Sequence, residues 1–443
     1  MYERPAYFQR MLHQGGFFVQ IHVVQQGESV SSIAREYGIS AALILQVNHL
    51  PSSTIVTGQT LLIPSDTDSY VVMPGDSLST IAQRYNIDIN ELLELNPQVR
   101  PQSLYPGEII RLPAIQRPTK MVLGFLELTN PQMDRFNVIH YGPYSTYLAL
   151  FGHGMNENGS ITQANDETAL ETAKQTRTVP AAVFSNLTEN TFSAAVIHAM
   201  LAQPDARQRY ITQLLSIVSY KGYGAVVIDF ENIQSGDHDS FMTFLQELST
   251  RLNPLSIPFA VAVMPITGEE PQGDPLIKAY DYAAIARYAT YVIVMAYNWS
   301  WASGTPGAIA PFHKVEESIK YALTQMQRNQ VLLGIVRYGY DWLVPYHPQE
   351  VAGVVDVENA VAIAIEHQAP IEFDPVSLTP WFTYWDTLGS QHLVWFEDER
   401  SLQLKLQLVH KYQLPGIAPW QLGQRFPQFI PLVLNNFRIQ QLR

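Results

Sequence analysis

The chain has 443 residues, too many for one ordinary domain, and at 47% hydrophobic and 15% charged it has ample material for globular cores. A formal net charge of −13 argues against nucleic acid or an anionic membrane as the main partner. The absence of cysteine excludes disulfides, thiolate catalysis and cysteine-ligated zinc, and leaves the compartment open.

Residues 1–18 carry Glu3, Arg4, Arg10 and His13 and lack the long apolar stretch of a secretory signal, so no signal peptide is expected. No apolar run approaches the ~20 residues of a transmembrane helix. An internal repeat follows. One copy begins His22-Val23-Val24-Gln25-Gln26-Gly27-Glu28-Ser29-Val30, the other Tyr70-Val71-Val72-Met73-Pro74-Gly75-Asp76-Ser77-Leu78, at an offset of 48. That offset carries Ile33 onto Ile81, Ala34 onto Ala82, Tyr37 onto Tyr85 and Asn48 onto Asn96. Each copy closes on an apolar segment ending in proline, Pro64 or Pro113.

The pattern predicts strand, helix, helix, strand in each copy, with Ser29 and Ser77 as N-caps. A unit this small has little core, so an external binding surface is its expected business, against the alternative of a purely structural repeat. Residues 21–65 and 69–114 resemble tandem LysM modules, which bind N-acetylglucosamine-containing glycans. The first copy departs from the second at Gln26 for Pro74, and at Thr57-Gly58-Gln59 for Pro106-Gly107-Glu108. Residues 65–68 and 115–120 read as linkers, the second stiffened by Pro118.

From residue 121 short apolar runs alternate with helical stretches: 122–128, 147–151, 181–184, 225–229, 259–264, 291–296, 331–336 and 416–420. Eight such units predict an α/β fold, a (β/α)8 TIM barrel over residues 120–443. The alternative, an open doubly wound sheet, is weakened by the absence of a glycine-rich phosphate loop after the first strand. A helical run and two strand-like pieces within about 345–396 predict a small α+β insertion.

Active residues of such barrels stand at the C-terminal ends of strands. The fourth run, Gly224-Ala225-Val226-Val227-Ile228-Asp229-Phe230-Glu231, ends in two carboxylates spaced i, i+2. In a strand they share a face, repel each other, and at least one pKa should rise. A carboxylic acid protonated near neutral pH is what glycosidic cleavage needs as general acid. The bland reading is two solvated carboxylates at a loop. Tyr297, Asn298 and Trp299 follow the sixth run, Tyr338, Tyr340 and Trp342 the seventh, and Trp420 ends the eighth. All seven tryptophans fall between Trp299 and Trp420. Indole stacks on the apolar faces of sugars, which suits a carbohydrate cleft as well as core packing does. There is no H-E-x-x-H, no calcium loop and no G-x-S-x-G, so no metal or cofactor is expected. His140 and His153 read as structural or rim residues.

Residues 121–423 resemble glycoside hydrolase family 18. The carrying segments are Gly222-Tyr223-Gly224, Ile228-Asp229-Phe230-Glu231, Met295-Ala296-Tyr297, Tyr338-Gly339-Tyr340-Asp341-Trp342, Val394-Trp395-Phe396-Glu397-Asp398 and 416–423. The nearest likeness is to LysM-bearing, spore-associated N-acetylglucosaminidases of Bacillus-type bacteria that degrade cortex peptidoglycan. The resemblance implies that Glu231 is the general acid/base, that Asp229 orients the substrate's N-acetyl group and supplies its counter-charge, that Tyr297 bonds that group, and that Trp420 lies under the sugar being cleaved. Asn298, Tyr340 and Trp299 are the further substrate-binding candidates. The family motif D-x-x-D-x-D-x-E is broken by Gly224 and Val227, and Asn298 stands where many members carry aspartate.

The implied reaction is substrate-assisted and retaining: the 2-acetamido carbonyl attacks C1, and Glu231 serves first as acid and then as base. The expected partner is peptidoglycan or another N-acetylglucosamine-containing glycan, with neither nucleic acid nor membrane, and the expected location is the spore coat or cortex. A non-catalytic family 18-like lectin and a chitinase are the competing readings. Oligomeric state is not legible.

Overall fold

The computed structural model describes residues 18–65, 69–85, 87–100, 104–113, 117–188, 191–271 and 273–442. Residues 1–17 of the stretch read for a signal, and 66–68 and 114–116 of the linkers, lie outside the described residues.

The two repeats share one local design. In the first, strand Phe18–Val23 pairs antiparallel with Thr60–Ser65 around helices Val30–Glu36 and Ala41–Val47. In the second, Ser69–Val71 pairs with Ile109–Arg111 around Leu78–Tyr85 and Ile89–Leu95. Ser29 caps its helix through a capping box with Ser32, and Ser77 accepts from the Thr80 backbone N–H at 3.1 Å. The repeated asparagine has a definite task. The Asn48 amide donates to the Ile44 and Leu62 carbonyls and accepts from Leu62 N–H, and Asn96 does the same with Leu92 and Arg111. Each asparagine thus ties a helix end to the closing strand and satisfies buried backbone groups.

Eight parallel strands form the barrel: Thr119–Glu127, Tyr147–Met155, Pro180–Ser185, Ala225–Asp229, Phe259–Val263, Tyr291–Val294, Val331–Val336 and Gly416–Trp420. Each pairs with the next, and the eighth pairs with the first, so the sheet closes. Helices cover the outside and side chains fill the inside. The strands therefore read as continuous apolar runs rather than alternating ones. The fourth strand is buried at every position.

The insertion is a five-stranded antiparallel sheet in the order Gly353–Asp356, Tyr338–Val344, Gln391–Trp395, Thr379–Trp385, Glu372–Asp374, backed by helix Val357–Glu366. Its first strand is Tyr338–Val344, so the aromatic segment that follows the seventh barrel strand is itself the opening strand of the insertion.

The first repeat docks on the barrel. Val19, Val47, Val56 and Leu62 belong to the same continuous core as the barrel strands. Ile371 N–H donates to Thr57 O at 2.9 Å, Val19 N–H to Asn435 Oδ1 at 3.2 Å, and Arg400 Nη2 to Gly58 O at 3.2 Å. The Thr60 hydroxyl donates to buried Glu399, at the start of helix Glu399–Lys411. The second repeat keeps a separate core of Tyr70, Val72, Leu78, Ile81, Ala82, Leu92, Ile110 and Leu112. It touches the first through the Gln20 amide, paired both ways with the Val71 backbone, and through the Tyr37 hydroxyl on Met73 sulfur.

Candidate active site

The fourth strand delivers its carboxylates as its alternation requires. Phe230 points outward, where it packs with Tyr210, Phe241 and Phe244. Asp229 and Glu231 share the other face, Asp229 buried and Glu231 half-buried. Burial holds the Asp229 carboxyl well above the usual range, and burial followed by the Asp229 charge does the same to Glu231. Two buried carboxyls this close resist ionising together. Asp229 Oδ1 is buried and has no hydrogen-bond partner.

Two residues that no sequence pattern singled out hold this segment. Asn186, just past the third strand, accepts from Glu231 N–H at 2.9 Å and donates to Glu231 O at 2.7 Å, gripping the backbone of that residue on both sides. Tyr280 donates its hydroxyl to Phe230 O at 3.0 Å, between the two carboxylates. The only trace of Asn186 in the sequence is its place at a strand end.

Tyr297 follows the sixth strand and is buried. Burial, then the charges of Asp229 and Glu231, push its hydroxyl far above an ordinary tyrosine, so it stays a neutral donor beside them. Its ring lies over Gly334 of the seventh strand, where a Cβ would come within 3.0 Å of Cε1. Asn298, at φ 63°, is exposed, and its Oδ1 accepts from the hydroxyls of Tyr338 at 3.0 Å and Tyr340 at 3.3 Å. With the oxygen so engaged, its NH2 is the group left to offer a ligand. Trp420 is half-buried and held edge-on by Phe125 and Phe151, with ring centroids 5.4 and 5.2 Å away. Arg337 Nη1 donates to Gln421 O at 3.0 Å and fixes the chain just beyond that indole. Trp299 leans half-buried on the core, its backbone N–H donating to Ile309 O at 3.1 Å.

The two histidines flagged near the second barrel strand make other contacts. His153 is fully buried, accepts from Ala164 N–H at 3.1 Å and sits 3.5 Å from Asp166, with its pKa pushed down to about 4 by burial. It is neutral and structural. His140 stacks on Phe136 along the first barrel helix. Among the described residues no cluster of three metal-ligating side chains occurs, and no helix is long and apolar enough to cross a membrane.

The family model for glycosyl hydrolases family 18 matches residues 106–424, and the LysM domain model matches 22–64 and 70–113. The chain is 38% identical over 423 residues to YdhD of Bacillus subtilis (strain 168), covering 95% of this chain and all of that protein. It is 31% identical to the cortical fragment-lytic enzyme of Bacillus cereus over 95% of this chain and 99% of that one. The crystal structure of the Bacillus cereus spore cortex-lytic enzyme SleL superposes with a TM-score of 0.88 at 30% identity, covering 96% of this chain and 99% of that chain.

Proposed function

The chain belongs to glycoside hydrolase family 18, and on that premise we propose that it hydrolyses β-N-acetylglucosaminide bonds of spore cortex peptidoglycan, held to that glycan by its LysM modules. The observation that carries the reading is the buried Asp229–Glu231 pair at the end of the fourth strand, whose burial raises both carboxyl pKa values, with Asp229 Oδ1 left without a partner.

An acetamido N–H brought to Asp229 supplies the missing bond. The same contact turns the acetamido carbonyl toward C1. Tyr297 donates to that carbonyl group from a fixed position. Glu231 gives its proton to the leaving oxygen, then recovers one from the water that opens the oxazolinium ion, and the configuration at C1 is retained. The ordinary two-carboxylate mechanism places its acids across the sugar, whereas these two rise from one side of one strand. Trp420 supplies the apolar floor against which the reacting sugar is pressed. The relatives' spore cortex names favour a spore location, and we place the protein in the coat or cortex layers.

Glu231→Gln should lower turnover by roughly 10²–10⁴-fold and leave attachment to insoluble peptidoglycan unchanged. Hydrolysis within about tenfold of wild type would remove Glu231 from the role. Mass analysis of digests of purified cortex and of chitin oligomers decides the substrate. Muropeptides ending in N-acetylglucosamine are expected from cortex, and cleavage of chitin alone would make the protein a chitinase.

A further inference from the structure

The first barrel strand brings a third carboxylate to the mouth of the site, and the chemistry above does not use it. Glu127 ends that strand, two residues beyond Phe125 and therefore on the same face. The register sets it beside Phe151 of the second strand. Those two rings hold Trp420 edge-on, so Glu127 stands on the wall next to that indole, one step nearer the open end of the barrel. It is exposed. The Gln421 amide accepts from Gly423 N–H at 2.6 Å through Oε1, which turns its NH2 toward Glu127 Oε2 at 3.4 Å. Among the described residues no lysine, arginine or histidine is ion-paired with Glu127, and Oε1 is left for a ligand.

Strand order fixes which edge of a sugar this carboxylate meets. In a closed ring of eight strands the first stands across from the fourth and fifth. Glu231, on the fourth, must face C1 and the leaving oxygen, while Asp229 and Tyr297 draw in the acetamido group on C2. C4 lies across a pyranose ring from C1, and C3 lies between C4 and C2. The C3–C4 edge of a sugar over Trp420 is therefore turned toward the first strand. On N-acetylglucosamine that edge has a free 3-hydroxyl, a donor that a carboxylate accepts strongly. On N-acetylmuramic acid, the alternate sugar of peptidoglycan, O3 is an ether. It donates nothing and carries a lactyl carboxylate.

We propose that Glu127 is a specificity-determining residue, which admits N-acetylglucosamine over Trp420 and turns away the 3-O-lactyl sugar of the same polymer. The selection has an attractive part, the hydrogen bond from the 3-hydroxyl, and a repulsive part, two anions brought together in a cleft that already holds Asp229 and Glu231. The inference rests on the proposed hydrolase reading and adds to it the residue that decides which of two alternating bonds is cut.

The test uses the full chain and chromogenic 4-nitrophenyl disaccharides that differ only at O3 of the sugar next to the nitrophenol: a free hydroxyl, a lactyl group, or a neutral lactamide. Wild type should favour the hydroxyl over the lactyl substrate by about 100-fold or more in kcat/KM. Glu127→Gln should raise kcat/KM for the lactyl substrate about tenfold, equivalent to ~1.4 kcal/mol. It should lower the value for the hydroxyl substrate, because a neutral acceptor replaces a charged one, and change the lactamide least. Glu127→Asp, which keeps the charge, should keep most of the preference. A lactyl substrate cleaved no better by Glu127→Gln, the same factor of change on hydroxyl and lactyl substrates, or a lactamide gain as large as the lactyl gain overturns the proposal. Binding of the hydroxyl and lactyl compounds to Glu231→Gln protein, with and without Glu127→Gln, separates the two ideas. If wild type cleaves no substrate, the hydrolase reading fails, yet a binding preference for the hydroxyl compound that shrinks about tenfold on Glu127→Gln still supports the selector, and an unchanged preference refutes it.

Discussion

The two LysM modules have the same local fold and opposite tertiary fates. The loop before the closing strand holds a glycine in the left-handed region in both, Gly58 at φ 81° and Gly107 at φ 87°. A Cβ on Gly58 would stand 1.8 Å from the Ile371 carbonyl oxygen, whereas one on Gly107 would meet nothing within 4 Å. Val56 and Thr60 are buried against the barrel, while their counterparts Tyr105 and Ile109 are 63% and 64% exposed. A repeat can therefore keep its hydrogen-bonding scaffold, here the Asn48 and Asn96 ties, while one copy gives up its outer surface to become part of a neighbour's core.

The largest contrast should come from deletion. Removing residues 1–113 strips the helices Glu399–Lys411 and Phe429–Asn436 of their cover. The burial of Val19, Val47, Val56 and Leu62 goes with it, each side chain contributing up to about 1.5–3 kcal/mol. Replacing 70–113 by a flexible linker should cost the barrel little. Unfolding midpoints of the two proteins measure the difference, and equal midpoints would show that docking adds no stability. Turnover of a short substrate per folded molecule should survive both deletions, because the fourth strand lies across the barrel from the docked module.

The glycine pair sharpens the same contrast at single-residue scale. Gly58→Ala combines left-handed strain with a backbone clash and should cost about 3 kcal/mol or more. Gly107→Ala carries only the strain, about 1 kcal/mol. Urea denaturation of both variants tests this, and similar costs would mean that the Gly58 loop moves freely away from Ile371.

A smaller effect, confined to the docked copy, depends on pH. Burial, and then the charge of Asp398, hold the Glu399 carboxyl well above the usual carboxylate range. It stays protonated in the fold while an unfolded glutamate ionises above about pH 4.3. Its contribution is thus most favourable below that value and declines as pH rises, until the folded carboxyl itself ionises. Glu399→Gln should gain on wild type by at most about 1.4 kcal/mol per pH unit across that window. A stability difference that stays flat with pH would show that Glu399 is already ionised in the fold.

Much of this organisation is legible in the sequence, for physical reasons. Buried parallel strands must be apolar throughout, so the eight barrel strands announce themselves. The alternation of a strand puts Asp229 and Glu231 together without any tertiary knowledge. Asn48 and Asn96 stand out because the repeat shows each residue twice. Docking of the first module is not legible, since Thr57-Gly58-Gln59 reads as a modest departure from Pro106-Gly107-Glu108 until Ile371 is seen against it. Asn186 and Tyr280 escape for the same reason. Each acts on a backbone 45 or 50 residues away, a relation with no periodicity.

The bond between Val19 and Asn435 spans 416 residues. Elongation at about 5–20 residues per second separates the synthesis of its two ends by roughly 20–80 s. The first module can close its own small sheet, but the helix it leans on, Phe429–Asn436, is made only after the eighth barrel strand. Until then the faces of Val19 and Val56 that join the barrel's core in the finished fold lack that cover on the nascent chain.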